Sequence, residues 1–256
     1  LQEKLKGLSH IKVYLEDTDA ASLQRLEEVL KEMNLSMTVS KMADVDWEES
    51  WKDNYPPQEV GDNLVVLPYW LAEGYEGQRT PIILDPGLTF GTGAHPSTQM
   101  VMETMERNIR PGAKCLDLGS GSGILSIAAL RLGAEKAVGI DIDPKAEDIA
   151  RENAAYNGFA APEFTALTGN VTEDHTLMEQ LSRENWDVVL VNIVADVIIG
   201  LAPVLPKFMN ENTLLICSGI LDTRLGDVTA ALEAAGLTIV GRREKEDWRS
   251  VSAKKE

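Results

Sequence analysis

Four apolar runs, each followed by a segment of helical periodicity, constrain this chain more than any other feature. They are KCLDLG, KAVGID, WDVVLVN and TLLICSG, with helices expected from about Ile124, Pro144, Ala195 and Asp222. Strands that alternate with helices build a mostly parallel sheet, because each helix carries the chain back to start the next strand in the same direction. Such a sheet is covered on both faces, so its strands are apolar throughout. The runs NLVVLP and PIILDP read as two earlier short strands around a polar turn at residues 73–79. The tail LTIVGRREKEDWRSVSAKK reads as an antiparallel hairpin around a charged turn. The fold class is therefore α/β.

The first part of the chain has a separate pattern. HIKVYL alternates as a strand does; Leu23, Leu26, Val29, Leu30 and Met33 then fall at helical spacing behind the cap candidates Asp17, Thr18 and Asp19; LSMTVS alternates again. In DWEESWKDNYPP, Trp47 and Trp51 share a helical face, and Pro56 and Pro57 stop that helix. The expected organisation is a small α/β module over residues 1–45, a helical linker over 46–58 and a main domain over 59–256. The sequence opens on Leu1 rather than methionine, so trimming from a longer chain is expected.

Charge narrows the partners. Lys and Arg number 24 against 41 Asp and Glu, a net charge of -17, which disfavours tracking of a nucleic-acid duplex or an anionic membrane and suits a basic partner. Cys115 and Cys217 stand far apart in apolar surroundings and read as buried thiols of a reducing, cytoplasmic compartment. His10, His95 and His175 are scattered without nearby cysteines, so no metal site is expected. Residues 188–206 form the longest apolar stretch, but Asn192, Asp196, Pro203 and Pro206 interrupt it, and a buried strand followed by a helix is expected there rather than a membrane span.

The chemistry lies in the loops. DLGSGSG places Gly119, Gly121 and Gly123 in a strand-to-helix turn, where backbone can approach a ligand closely. The spacing is GxGxG after Asp117, not the GxGxxG of a dinucleotide site, since position 124 is Ile. Asp141 ends the next strand, where a carboxylate accepts hydrogen bonds from a ribose diol. Asp143 ahead of Pro144 reads as a helix cap. Two carboxylates this close repel a phosphate but tolerate a sulfonium, so S-adenosylmethionine fits better than NAD.

DLGSGSG with GIDIDP resembles the class I methyltransferase signature. The segment DPGLTFGTGAHPSTQM, with WDVVLVNIVAD and LLICSGI, resembles the ribosomal protein L11 methyltransferase (PrmA) family over residues 47–256. The resemblance implies a Rossmann-like class I fold, a mostly parallel seven-stranded sheet with an antiparallel C-terminal hairpin; the separate pattern of the small N-terminal α/β module and the overall negative charge make that module the expected part that recognises a basic substrate. It implies that Thr98, Gly119, Asp141 and Asn192 contact S-adenosylmethionine, with Gly121 in the same turn and Phe90 in a glycine-flanked lid. It also implies methylation of lysine side chains, and of the N-terminal α-amine, on a basic ribosomal protein.

Asn192 is the catalytic candidate, at the strand end where open α/β sheets bind ligands. Methyltransferases of planar amide or base nitrogens often carry Asn-Pro-Pro-Tyr here. This chain has Asn192-Ile193-Val194-Ala195, which favours an aliphatic amine. Thr98 reads without the resemblance as a first-turn residue after Pro96, and His95 as a loop fastener, because a neutral amine needs no strong base. Departures from the family pattern are modest, with Ser97 for Thr and Ser120 for Cys. The rival readings are methylation of another protein's lysines, methylation of a small molecule, for which a docking module is superfluous, and a non-catalytic cofactor-binding protein.

Overall fold

The computed structural model describes residues 20–33, 35, 37–39, 55–87 and 93–255. The chain divides into two compact units, Leu1–Asp53 and Asn54–Glu256. In the first, helix α1 (Ala20–Glu32) forms where Leu23, Leu26, Val29 and Leu30 recur at helical spacing, and Lys31 in its last turn complements the helix dipole. The strand expected at HIKVYL and the helix around Trp47 and Trp51 lie outside the described residues. The strand expected at LSMTVS is corrected: residues 35 and 37–39 are in no strand, so alternation over so short a segment did not specify pairing. Of the expected linker only residues 55–58 are described; 55–57 are irregular, and Gln58 already pairs with Val66.

The second unit opens with a three-stranded sheet of β1 (Gln58–Val60), β2 (Leu64–Pro68) and β3 (Thr80–Leu84), in which β1 runs antiparallel and β3 parallel to β2. Helix α2 (Pro96–Asn108) follows. The main sheet comprises β4 (Lys114–Leu118), β5 (Lys136–Asp141), β6 (Phe164–Thr168), β7 (Val188–Asn192), β8 (Leu214–Leu221), β9 (Leu237–Lys245) and β10 (Trp248–Lys255). Their spatial order is β6-β5-β4-β7-β8-β10-β9. The first five strands are parallel, and β10 pairs antiparallel with both β8 and β9, the C-terminal hairpin expected from the tail.

The connecting helices are α3 (Ile124–Arg131), α4 (Pro144–Tyr156), α5 (His175–Ser182), α6 (Ala195–Leu201) and α7 (Leu225–Ala234). Side chains of a strand alternate between faces, and the core divides accordingly. Cys115, Ala137, Val188, Leu190 and Ile216 pack with Met105, Ile127 and Ala150 on one face, while Leu116, Val138, Val189, Val191 and Cys217 pack with Ile198, Val228 and Leu232 on the other. Both cysteines are buried free thiols. Residues 188–206 fold as β7, α6 and a following turn, and among the described residues no helix is long and apolar enough to cross a membrane.

This topology places the ends of β4, β5, β7 and β8 at one edge. The order reverses beside β4, with β5 on one side and β7 on the other, and open α/β sheets bind ligands in the crevice such a reversal creates.

Candidate active site

Gly119, Gly121 and Gly123 have φ of 79°, 49° and 78°, values an L residue adopts at a cost of about 1 kcal/mol or more. At Gly119 space is also short, since a Cβ there would lie 3.0 Å from Ile193 Cδ1. The turn is tied to the next strand. The N–H groups of Gly119 and Ser120 donate to the Ile140 carbonyl at 2.8 and 3.0 Å, and Gly121 N–H donates to Asp141 Oδ2 at 2.9 Å. Asp141 Oδ1 accepts from Asp143 N–H at 3.0 Å. Each carboxylate oxygen has two acceptor sites, so Asp141 retains capacity for hydroxyl donors after fixing the turn. Asp143 caps α4 by accepting from Lys145 N–H at 3.0 Å, with Pro144 as the first helical residue.

Behind the turn Asp117 is buried, and Ser126 Oγ donates to its Oδ2 at 2.9 Å. Its Oδ1 has no partner among the described residues. Burial pushes this carboxyl up to about 7; the Ser126 hydrogen bonds pull it down, and the neighbouring Asp141 charge adds to the rise. In the unfolded chain the same group titrates near about 4. Between those values the folded protein binds more protons, so its stability falls as pH rises through the window and levels off above about 7. For the cofactor-free protein this loss should be on the order of 2 to 3 kcal/mol between about pH 5 and 8. Asp117→Asn should flatten it, as denaturant midpoints measured in parallel would show; parallel slopes in the two proteins would contradict an ionisable group there.

The second half of the site joins segments far apart in sequence. Thr98, in the first turn of α2, accepts a hydrogen bond from Asn192 Nδ2 at 3.1 Å. Asn192 Oδ1 is buried without a partner among the described residues. The Asn192 side chain therefore bonds to another element and not to its own strand end. Ser218 Oγ, within β8 and paired in register with Asn192, donates to the Ser97 carbonyl at 3.1 Å, and Ile193 N–H donates to the Ser218 carbonyl at 3.1 Å. The α2 start, the β7 end and β8 at Ser218 are thereby fastened together. Ile193 lies against Gly119, which joins this half to the glycine turn.

His95 is the N-cap of α2. Its Nδ1 accepts from Ser97 N–H at 3.3 Å and lies 2.7 Å from Ser97 Oγ, and its ring meets Trp248 edge-on at 4.5 Å. These contacts fit the fastening role expected of it. Phe90, the expected lid residue, lies outside the described residues.

Asn153 and Asn157 escaped the sequence reading. Asn153 Nδ2 donates to the Ser122 carbonyl at 2.9 Å while its Oδ1 accepts from Asp85 N–H at 2.8 Å. Asn157 exchanges hydrogen bonds with both backbone groups of Ile83, at 2.7 and 3.0 Å. Helix α4 thus clamps β3 beside the glycine turn. An asparagine inside the helix, where Asn is a poor helix former, and a second one four residues on at its C-cap were the available signal.

The sequence matches the family described as ribosomal protein L11 methyltransferase (PrmA) over residues 1–256. A ribosomal protein L11 methyltransferase of Azotobacter vinelandii is 40% identical over 233 residues, covering 91% of this chain and 76% of that protein. Its counterpart in Agathobacter rectalis is 35% identical over 264 residues, covering 98% and 81%. The crystal structure of a ribosomal protein L11 methylase from Lactobacillus delbrueckii subsp. bulgaricus superposes with a TM-score of 0.70 at 30% identity, covering 79% of this chain and all of that one. A glycine turn fixed by Asp141, an Asn192 held by Thr98 and matches of this extent lead to one assignment: the chain belongs to the ribosomal protein L11 methyltransferase (PrmA) family.

Proposed function

We propose that this chain transfers methyl groups from S-adenosylmethionine to lysine side chains, and to the N-terminal α-amine, of ribosomal protein L11. The observation that carries the amine-acceptor part is the buried Oδ1 of Asn192, which has no donor among the described residues while Nδ2 of the same amide is held by Thr98. An unsatisfied buried polar atom is costly, and an amine N–H satisfies it.

The residues present fit the cofactor. Asp141 has acceptor capacity for the ribose hydroxyls, the positive-φ turn at Gly119 and Gly121 admits close backbone approach, and Ile142, 73% exposed next to Asp141, offers apolar surface to the base. When bound, S-adenosylmethionine supplies an electrophilic methyl on a positively charged sulfur. Asn192 Oδ1 accepts an N–H of the incoming amine and leaves its lone pair free.

The acceptor must be neutral. At pH 7 that costs about 4.6 kcal/mol for an ordinary lysine but only about 1.4 kcal/mol for an α-amine. A dry pocket penalises the ammonium and lowers the first figure.

Asp141→Ala should weaken S-adenosylmethionine by about 1.5 to 3 kcal/mol, the range for hydrogen bonds to a charged group. Calorimetry with unchanged affinity would remove Asp141 from the site. Residues 1–45 are the substrate-recognition module, residues 46–58 its linker and residues 59–256 the catalytic domain. Deleting residues 1–45 should leave cofactor affinity nearly unchanged and greatly reduce methyl incorporation into intact ribosomal protein L11. Full activity of the truncated chain on that protein would make the module a structural appendage.

A further inference from the structure

Three large apolar side chains stand exposed on the segments that form the Asn192 end of the crevice. Val194 is 60% exposed, Val197 41% and Leu221 44%. Val194 and Val197 share the first turn of α6, where Val197 N–H donates to the Val194 carbonyl at 3.0 Å. Arg224 joins that turn to the segment just beyond Leu221 through Asp196 at 2.6 Å. Leu221 pairs across the sheet with Trp248, whose ring meets His95 at the start of α2. The three side chains therefore belong to one continuous rim around the end of β7 that carries Asn192 and the part of β8 beyond Ser218.

The charges on this rim have an unequal balance. Arg224 is shared between Asp196 and Asp227 at 2.6 and 2.8 Å, and Arg249 between Asp222 and Glu244 at 2.9 and 3.9 Å. Two guanidinium groups face four carboxylates, all four more than 60% exposed, while Lys245, the sheet neighbour of Trp248, and Arg243 share the single carboxylate of Glu103. Exposed Glu246 and Asp247 add two more negative charges in the turn between β9 and β10, which the Asp222 N–H to Asp247 carbonyl bond of 3.0 Å ties to the same rim.

We propose that this rim is a docking surface for the stretch of protein substrate that flanks the reacting amine, and that it selects a segment rich in lysine or arginine. The match is chemical. Long cationic side chains lay their alkyl stems on apolar surface and keep their charged heads among carboxylates; a rim of valine and leucine edged by aspartate presents both. A nucleic acid or an acidic peptide meets repulsion on the same surface. This inference rests on the assignment of a basic protein, ribosomal protein L11, as substrate, and adds which surface of the catalytic domain reads the residues around the target amine.

The test is steady-state methylation of ribosomal protein L11 by the full chain and by the Val197→Ser, Leu221→Ser double variant, with both single variants beside it in case the double one is unstable. Cofactor affinity by calorimetry and methylation of a short lysine peptide without basic flanks are the controls. The expected result is a KM for the intact protein raised about tenfold, kcat and both controls unchanged, and a wild-type KM that rises with salt. An unchanged KM in the variants would overturn the docking surface while leaving the substrate assignment intact. A dimer of the wild-type chain that the substitutions dissociate, with KM unaffected, would assign the rim to self-association instead. A wild-type chain that binds S-adenosylmethionine yet leaves ribosomal protein L11 unmodified would overturn both readings.

Discussion

Replacing Asn192 with alanine should slow methyl transfer to ribosomal protein L11 by about two orders of magnitude, the scale seen when a positioning hydrogen bond at a reacting centre is removed. The substitution deletes the Oδ1 that has no partner among the described residues and the Nδ2 that bonds Thr98 at 3.1 Å, so the amine loses its acceptor and the α2 start loses a tie to β7. Single-turnover rates at saturating cofactor separate this loss from weaker cofactor binding. Thr98→Ala should cost about tenfold, because Asn192 remains but its amide is free to turn, and Thr98→Ser should recover most of the rate. His95→Ala should keep the rise of rate with pH that an amine nucleophile imposes. A nearly normal rate in Asn192→Ala, or loss of the pH dependence in His95→Ala, would reverse the two roles.

Gly219→Ala should produce the largest loss of stability among single-atom additions near the site. Gly219 has φ of 83°, and a Cβ there would lie 2.5 Å from the Ile193 carbonyl oxygen and 2.9 Å from its carbon. Backbone cannot swing aside as a flexible side chain does. Left-handed strain of about 1 to 3 kcal/mol and overpacking of about 1 to 3 kcal/mol both apply. The sum lowers the melting temperature by roughly 5 to 15 °C for a domain of this size. Cofactor affinity should fall with it, since Ile193 also packs against Gly119. Calorimetric melting measures the first effect and titration the second; a melting temperature within a degree or so of wild type would contradict the close approach.

The sequence announced the features that repeat and missed those that depend on tertiary contact. β4, β5, β7 and β8 were legible because buried parallel strands leave continuous apolar runs, and the tail hairpin because its two strands flank a charged turn. β6 and α5 passed unnoticed. β6 is an edge strand of five residues, FTALT, in which only Phe164 and Ala166 are buried, so it leaves no apolar run. The turn of Gly119 and Gly121 and its distant partner Asp141 were readable from spacing. Their direct bond was not, nor was the Thr98 and Asn192 pair, whose members are 94 residues apart. A hydrogen bond between two side chains leaves no periodicity. Asp117 was visible as the acid before the glycines, while its burial against Ser126 required the packed helix α3. In the first unit, LSMTVS alternates without forming a strand at its described positions, because alternation fixes pairing only where one face has a core to cover.

The central assignment is tested most directly by incubating unmodified ribosomal protein L11 with this chain and isotopically labelled S-adenosylmethionine, then mapping the label by mass spectrometry. The expected result is label on lysine side chains and on the N-terminal α-amine, in successive methyl increments, with an initial rate lowered strongly by Asp141→Ala at limiting cofactor and by Asn192→Ala at saturating cofactor. Label confined to glutamine, to another protein or to a small molecule, or no label on ribosomal protein L11 from a chain that binds the cofactor, would contradict it.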